Sequence, residues 1–369
     1  AMAPILEGRF VAGTTTGNAC SSVRCEAVEE RAMSRPLEDV DASGVLAQES
    51  DAPTGKLYRV HFPLFDHVES RSNEVRQTHE GLVTHPRVDL VDDPEAADYL
   101  ILCQNHLLEH CPFHTQFRPL KDRYKQKTIM LDYGDEPWMI QDAEDFRWKL
   151  YFKRSVVDRN TMQVVDYGDL PIIPTAYCVE EGMVEPPSNL SASRAIAISC
   201  LFEDSIQTSW VFQRARGRLL RFAHELEAKY DLTMQVGTVS DPGPVGRSGI
   251  DPRYKRCLFD SKIILHANPD PWEGDARTWE ALSSGALVFI DPMCQPIKHP
   301  LVDGKHAVFY DLTEDGMVRL EAKILYYLHR DEQRERIGRQ GREHVLKHHR
   351  SIHRINQIID ALDAANAGV

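Results

Sequence analysis

The residues best suited to chemistry lie in one short stretch, PWEGDARTWEALSSGALVFID, at positions 271–291. Two carboxylates, Asp275 and Glu280, and the guanidinium of Arg277 crowd the start of a predicted helix. Arginine presents a forked set of N–H donors that suits phosphate oxygens. A carboxylate can accept two hydrogen bonds from a ribose diol. These residue types at this spacing favour the binding of a nucleotide diphosphate.

The elements around this stretch must place it at the edge of a sheet. KIILHAN at 262–268 predicts a buried strand, ALVFID at 286–291 predicts the next one, and the helix between them begins near Asp275 or Ala276. In an open parallel sheet, ligands bind at the carboxyl ends of the strands, where helices point free N–H groups at an anion. Gly285 is predicted to end the helix in a left-handed conformation.

The same residues also have a simpler interpretation. Arg277 and Glu280 are three positions apart and could form an exposed ion pair, which would stabilise the helix by only about 0.2–0.5 kcal/mol. Asp275 could be no more than an N-cap. The spacing alone leaves both interpretations open.

Three segments resemble the C-terminal domain of GT-B glycosyltransferases. They are RTWEALSSGALVFID at 277–291, DGKHAVFYD at 303–311 and RIGRQGREHVLKHH at 336–349. The likeness spans residues 255–350 and is strongest to the CgeB-like and exostosin-like groups, whose pattern is approximately R-[TS]-x-E-A-L-x-x-G. The resemblance implies that Arg277 contacts the diphosphate and Glu280 the ribose of a nucleotide sugar.

We therefore predict a donor site made of Arg277, Glu280, Thr278, Asp275, Glu273 and Lys255. Many retaining enzymes of this fold carry two glutamates separated by seven residues, whereas Glu273 and Glu280 are separated by six. The spacing leaves retaining and inverting stereochemistry open. Arg247 could supply a further basic group, although Arg247 and Lys255 could equally be solvated loop charges. Arg214 and Arg216 could also reach the cleft.

Inverting transfer needs a base that deprotonates the acceptor hydroxyl. Carboxylates at predicted strand ends are candidates: Asp135 and Glu136 in LDYGDEP, and Glu203 in CLFEDS. Asp132 and Asp204 belong to the same two clusters. Each of these acids could instead form a turn or a cap. We predict Asp135, Glu136 and Glu203 as the catalytic candidates.

A zinc site at His106, His110 and His114 is an alternative use of a histidine-rich segment, CQNHLLEHCPFH. These residues lack a familiar zinc-ligand spacing. The DVD triplet at 39–41 has the form of a metal-binding DxD motif but falls in a predicted mobile arm. We therefore expect no metal and no cofactor, with the nucleotide sugar acting as co-substrate.

Strands and helices alternate along the chain, which predicts an α/β fold with two Rossmann-like domains facing a central cleft. Residues 1–55 are expected to form a mobile arm. Residues 56–190 would form the acceptor-side domain and 191–350 the donor-side domain. The resemblance implies that the last segment, 351–369, is a helix crossing back to the first domain.

The net charge is −13, from 56 acidic and 43 basic residues, which argues against nucleic acid as the main partner. No run of about 18 apolar residues predicts a membrane span. No secretory signal is visible, and the eight cysteines form no CxxC pair, so we expect a cytoplasmic protein. The sequon at Asn189 keeps the alternative of a Golgi-lumenal protein that has lost a membrane anchor.

The leading hypothesis is a metal-independent hexosyl- or pentosyltransferase that moves a sugar from a UDP- or GDP-sugar to a glycan, a glycoconjugate or another hydroxyl acceptor. One alternative is a nucleotide-sugar epimerase of the same architecture. Another is a non-catalytic nucleotide-sugar binding or scaffold protein. The sugar, the nucleotide base and the acceptor are left open.

Overall fold

The apolar runs of the sequence form two parallel β-sheets. The computed structural model describes residues 55–64, 72–107, 121–134, 137–140, 148–158, 161, 163–168, 171–188, 190, 193–202, 214–239, 249–268, 274–294 and 296–367. The predicted arm lies outside these residues, apart from Gly55. Among the described helices, none is long and apolar enough to cross a membrane.

The first sheet occupies the N-terminal half of the described chain. Its elements are β1 (Tyr58–His61), α1 (Asn73–Thr84), β2 (Val88–Leu90), β3 (Tyr99–Cys103), α2 (Lys121–Tyr124), β4 (Thr128–Asp132), β5 (Leu150–Lys153), β6 (Val157–Asp158), β7 (Gln163–Val164) and β8 (Ile172–Pro174). The strand order is β2-β1-β3-β4-β5-β8, all parallel, and β6 and β7 form a separate antiparallel pair. Every residue of β3 and β4 is buried, as expected of central parallel strands covered on both faces.

The second sheet has the order β10-β9-β11-β12-β13 and is also parallel. Its elements are β9 (Ile196–Cys200), α3 (Arg214–Lys229), β10 (Met234–Val236), α4 (Pro252–Asp260), β11 (Ser261–Leu265), α5 (Ala276–Ser283), β12 (Leu287–Ile290), β13 (Val308–Phe309), α6 (Glu314–Leu328), α7 (Asp331–His348) and α8 (Ser351–Ala367). Short 3₁₀ segments lie at Gln104–Leu107, Lys125–Lys127 and Glu181–Met183.

Alternating residues of the central strands serve two apolar cores. Ile263 of β11 and Phe289 of β12 pack on the face that also contacts Leu219 of α3. Ile264 and Val288 point the other way and share a core with Trp279 and other residues of α5. The alternation of side chains along a strand therefore places α3 and α5 on opposite faces of the same sheet.

The last helix, α8, packs against the first sheet rather than the second. Its apolar residues Ile355, Ile358, Ile359 and Leu362 belong to the same core as β1 and β3. At its end, Asp363 accepts a hydrogen bond from the Tyr58 hydroxyl at 2.6 Å and pairs with Arg87 at 2.7 Å. The chain thus returns to its first sheet after the second is complete.

Candidate functional site

The carboxyl ends of β11 and β12 meet in a buried polar contact. The predicted strand at 262–268 ends at Leu265, and Asn268 lies at the edge of the sheet beside Asp291. The Asn268 backbone N–H donates to Asp291 Oδ1 at 2.7 Å, and its side-chain amide donates to the Asp291 carbonyl at 3.2 Å. Both side chains are buried. The two strands therefore present a fixed polar edge to the start of α5.

Asp275 caps α5, as the sequence predicted. Its Oδ1 accepts hydrogen bonds from the Thr278 backbone N–H at 3.0 Å and from the Thr278 hydroxyl at 3.1 Å. Its Oδ2 forms an ion pair with Arg216 of α3. Burial alone would raise the pKa of Asp275, but Arg216, His266 and Arg277 together hold it well below the usual value. The cap is therefore an ionised carboxylate.

His266 completes the network around the cap. Its Nε2 lies 3.0 Å from the Thr278 hydroxyl oxygen and 3.3 Å from Asp275 Oδ1. Burial lowers the pKa of His266 despite the neighbouring carboxylate, which keeps the ring neutral near pH 7. The Tyr310 hydroxyl donates to the His266 carbonyl at 2.8 Å. Residues that follow β11 and β13 thus hold the helix start in place.

Glu280 lies inside the protein, although it is a charged residue on a short helix. Its side chain is 1% exposed, and Tyr254 of α4 donates its hydroxyl to Glu280 Oε2 at 2.9 Å. The alternative of an exposed ion pair with Arg277 is therefore wrong. Arg277 itself is partly exposed on the first turn of α5, and its charge contributes to the lowered pKa of Asp275.

Lys255 contacts a different segment of the chain. Its ammonium donates to the Gly182 carbonyl at 2.7 Å, and burial lowers its pKa. This contact ties α4 to the segment that precedes the second sheet. Of the predicted donor residues, the structure brings Asp275, Arg277, Thr278 and Glu280 together on α5.

Several predicted residues lie outside the described part of the chain. They are Asp135, Glu136, Glu203, Glu273, Asp204, Arg247, His110 and His114. The side chain of Arg214 is also outside it. The catalytic assignments therefore stay predictions.

Two neighbours of those residues are described and have structural partners. Asp132 accepts hydrogen bonds from the Gly134 backbone N–H at 2.9 Å and the Tyr151 hydroxyl at 2.6 Å, and pairs with Lys153 at 3.1 Å. His106 Nδ1 accepts from the Cys103 backbone N–H at 3.0 Å. Burial lowers the pKa of His106 to about 4. These contacts fit the turn alternative for Asp132, and His106 is buried.

The sequence interpretation missed Asp291, Asn268, His266 and Tyr254. Asp291 is buried, and within the described part of the chain its Oδ2 has no hydrogen-bond partner. Burial raises its pKa to about 7. A signal was available, because polar residues directly follow the apolar runs IIL and VFI, and such residues stand at the ligand-binding edge of a parallel sheet.

A family match covers part of this region. Residues 221–360 match a family described as glycosyl transferase-like, a segment that includes α4, α5 and β12. No curated protein matches the sequence.

Solved structures show the fold. A sucrose-phosphate synthase from Thermosynechococcus elongatus aligns with a TM-score of 0.50 and 14% identity over 84% of this chain and 100% of its own. An alpha-glucosyltransferase in complex with UDP-glucose and DNA containing an abasic site aligns with a TM-score of 0.55 and 8% identity over 82% of this chain and 99% of its own. The chain therefore has the GT-B fold of glycosyltransferases, which confirms the predicted fold class.

Proposed function

We propose that this protein is a glycosyltransferase whose donor is a nucleotide-diphosphate sugar, with the diphosphate bound at the start of α5. One observation carries the proposal: Arg277 stands on the first turn of a helix that begins at the carboxyl edge of the second sheet, beside the buried carboxylate Glu280. The glycosyl transferase-like match covers this helix.

Each residue on α5 has a distinct proposed role. Arg277 and the positive dipole end of α5 bind the diphosphate and stabilise the charge that develops on it as the sugar leaves. Glu280 accepts the ribose diol, and Tyr254 holds its carboxylate in one orientation through the 2.9 Å hydrogen bond. Asp275 and Thr278 position the helix start. The charge of Asp275 is already paired with Arg216, which limits its repulsion of the diphosphate.

The finer features of the reaction are also proposals. With Arg277 and the helix end carrying the leaving-group charge, transfer would need no metal ion. We propose a hexosyl or pentosyl group from a UDP- or GDP-sugar, and a glycan or glycoconjugate hydroxyl as acceptor. The structural neighbour that holds UDP-glucose supports testing UDP-sugars first. The base would be one of Asp135, Glu136 and Glu203.

A binding screen followed by turnover tests the proposal. Thermal shifts would be recorded with UDP, GDP, ADP, CMP and dTDP and with UDP- and GDP-sugars, since a ligand at a hundred times its Kd stabilises by about 2.7 kcal/mol. The selected nucleotide sugar would then be incubated with acceptor glycans, with and without EDTA. Acceptor-dependent release of nucleotide diphosphate supports a transferase. A changed sugar without acceptor would instead indicate an epimerase, and binding without any turnover a scaffold.

A further inference from the structure

Asp291 lies at the carboxyl edge of the second sheet, near the proposed nucleotide-sugar site, and has no role assigned so far. It follows β12 directly, and its Oδ1 accepts from the Asn268 backbone N–H at 2.7 Å. Asn268 in turn lies one contact from α5, because the Thr278 hydroxyl is 3.4 Å from Asn268 Oδ1. Asp291 is therefore two contacts from the first turn of α5, where the proposed function puts the diphosphate.

The segment after Asp291 also borders that first turn. A Cβ added to Gly274, immediately before the cap, would lie 2.6 Å from Met293 Sδ. A side chain at position 274 would therefore require Met293 to shift. A diphosphate bound at the start of α5 would therefore lie near the segment that Asp291 begins.

The two oxygens of the Asp291 carboxyl differ in their surroundings. Oδ1 accepts from the Asn268 backbone N–H and lies 3.2 Å from the Asn268 side-chain amide nitrogen. Oδ2 is buried and has no partner among the described residues. A buried carboxylate oxygen without a donor is unfavourable, whereas a protonated oxygen carries no charge to desolvate. A proton on this carboxyl would therefore reside on Oδ2.

We propose that Asp291 is the proton-holding residue of the donor site: binding of a nucleotide diphosphate at the start of α5 is accompanied by the uptake of one proton from solvent on Oδ2 of Asp291. The inference rests on the proposed function. Asp291 is a positioning residue, because it holds Asn268 and the strand edge rather than the reacting atoms. The neutral acid keeps that edge intact without repelling the incoming diphosphate.

The groups around Asp291 fit this role. Burial raises its pKa to about 7, an effect that the hydrogen bonds from Asn268 and the charge of Arg216 on α3 oppose. Tyr310, after β13, is also close, but its hydroxyl is already donated to the His266 carbonyl. On the α5 side, Asp275 is paired with Arg216. A bound diphosphate would disfavour the ionised form of Asp291 further.

The test is the pH dependence of nucleotide-sugar affinity, measured by calorimetry with the full chain and the nucleotide sugar that the binding screen selects, UDP-glucose first. A nucleotide sugar is esterified at both phosphates, so the ligand itself does not titrate near neutral pH. If only the protonated form is competent, Kd rises about tenfold between about pH 6 and about pH 8. Asp291→Asn, which keeps the shape and cannot ionise, should change less than about twofold over that range.

A matched control and a second measurement keep the outcome clear. Glu280→Gln alters another buried carboxyl of the same site and should weaken binding while keeping the tenfold pH effect. In wild-type protein, titrations in two buffers of different ionisation enthalpy should show uptake of about one proton at about pH 8, whether or not the Asp291→Asn variant folds.

Any other result would refute either the role of Asp291 alone or the proposed function as well. Nucleotide binding that is independent of pH, or that keeps its pH dependence in Asp291→Asn, would refute the role of Asp291 and leave the proposed function standing. An affinity that increases with pH would mean that Asp291 acts as a carboxylate, for example towards a sugar hydroxyl, and would also refute it. Absence of nucleotide binding at every pH would refute the inference and the proposed function together.

Discussion

Asp275 and Arg216 form an ion pair that joins two helices on opposite faces of the second sheet, 59 residues apart in sequence. Their side chains are only 12% and 13% exposed. Arg216 also donates its Nε–H to the Ala267 carbonyl at 3.1 Å, just beyond the end of β11. The pair therefore spans the carboxyl edge of the sheet and sets the position of the helix start that carries Arg277.

Replacing Arg216 by alanine should destabilise the fold strongly, because it leaves the buried carboxylate of Asp275 without its main partner. Loss of one member of a buried pair costs about 3–5 kcal/mol of unfolding free energy. Urea denaturation followed by tryptophan fluorescence would measure it. Arg59→Ala is the matched control, since Arg59 and Asp98 are 52% and 31% exposed and such pairs contribute about 0–1 kcal/mol. Equal losses in both variants would contradict the structural importance of the Arg216 pair.

The ion pair between Asp275 and Arg216 makes the stability of the fold depend on pH. Because the folded pKa of Asp275 is depressed, its contribution is present above the ordinary value of 3.8 and is lost as the pH falls through the lower folded value. The difference in stability between wild type and Arg216→Ala should therefore persist at neutral pH and narrow only in strong acid. A difference that already vanished near neutral pH would show that the pair is not formed in solution.

Replacing Arg277 by alanine should weaken donor binding and leave the fold intact. A charged hydrogen bond to the diphosphate is worth about 1.5–3 kcal/mol, or about tenfold to a hundredfold in Kd. Isothermal titration with the preferred nucleotide sugar would measure the change. Arg339→Ala removes an exposed arginine of α7 and should leave Kd unchanged. An unchanged Kd in Arg277→Ala would return Arg277 to an ordinary surface charge.

Removing the Tyr254 hydroxyl should weaken the binding of the nucleotide sugar, although Tyr254 is not proposed to contact that ligand. Tyr254→Phe frees the Glu280 carboxylate from its 2.9 Å hydrogen bond, at a cost of about 1 kcal/mol or about fivefold in donor affinity. Glu280→Gln should weaken binding further with little change in Tm. If Glu280 serves only the fold, Glu280→Gln will instead lower Tm sharply and leave the affinity of the folded protein as it was.

A histidine cluster next to α5 predicts sensitivity to acid. The His299 carbonyl accepts hydrogen bonds from Nε2 of His344 and of His349, each at 3.0 Å. The ring of His306 stacks on that of His344 at 4.0 Å, and the ring of His349 stacks on Trp279 of α5 at 4.1 Å. Neighbouring rings packed this closely resist protonation, because each new charge would be buried beside other cationic groups.

Acidification should therefore weaken this region of the fold. Burial, with the charges of His344, Lys305 and His348, lowers the pKa of His306 to about 4. A depressed histidine pKa stabilises the fold above the ordinary value of 6.5 and loses that contribution as the pH falls towards about 4. Tm scans across this range should show a smaller acid-induced loss in His344→Gln than in wild type. A variant at the exposed His224 of α3 is the control. An identical dependence of Tm on pH in wild type, His344→Gln and the His224 variant would contradict the prediction.

Local patterns were enough to locate the strands on either side of α5 and the start of that helix. The strands predicted at 262–268 and 286–291 are found at Ser261–Leu265 and Leu287–Ile290, α5 begins at Ala276, and Gly285 has a φ of 73°. These features depend on apolar periodicity, cap chemistry and glycine conformation, all of which act between neighbours in sequence. The grouping of Asp275, Arg277, Thr278 and Glu280 on α5 could be predicted for the same reason.

The burial of Glu280 could not be predicted from its spacing to Arg277. It depends on α4, whose Tyr254 reaches Glu280 from 26 residues away. Likewise, nothing near Asp291 in the sequence indicates its contact with Asn268, which follows from the parallel pairing of β11 and β12.

The sequence by itself determined the α/β alternation, the capped helix at the end of a buried strand and the residue types that suit a nucleotide diphosphate. Only the tertiary structure decided that Arg216 neutralises Asp275 and that Oδ2 of Asp291 is buried without a hydrogen-bond partner among the described residues. The physical reason is the distance along the sequence over which each kind of interaction acts. Propensity and capping act over one or two helical turns, whereas burial and ion pairing depend on strand order, which brings together residues as distant as Tyr58 and Asp363, 305 positions apart.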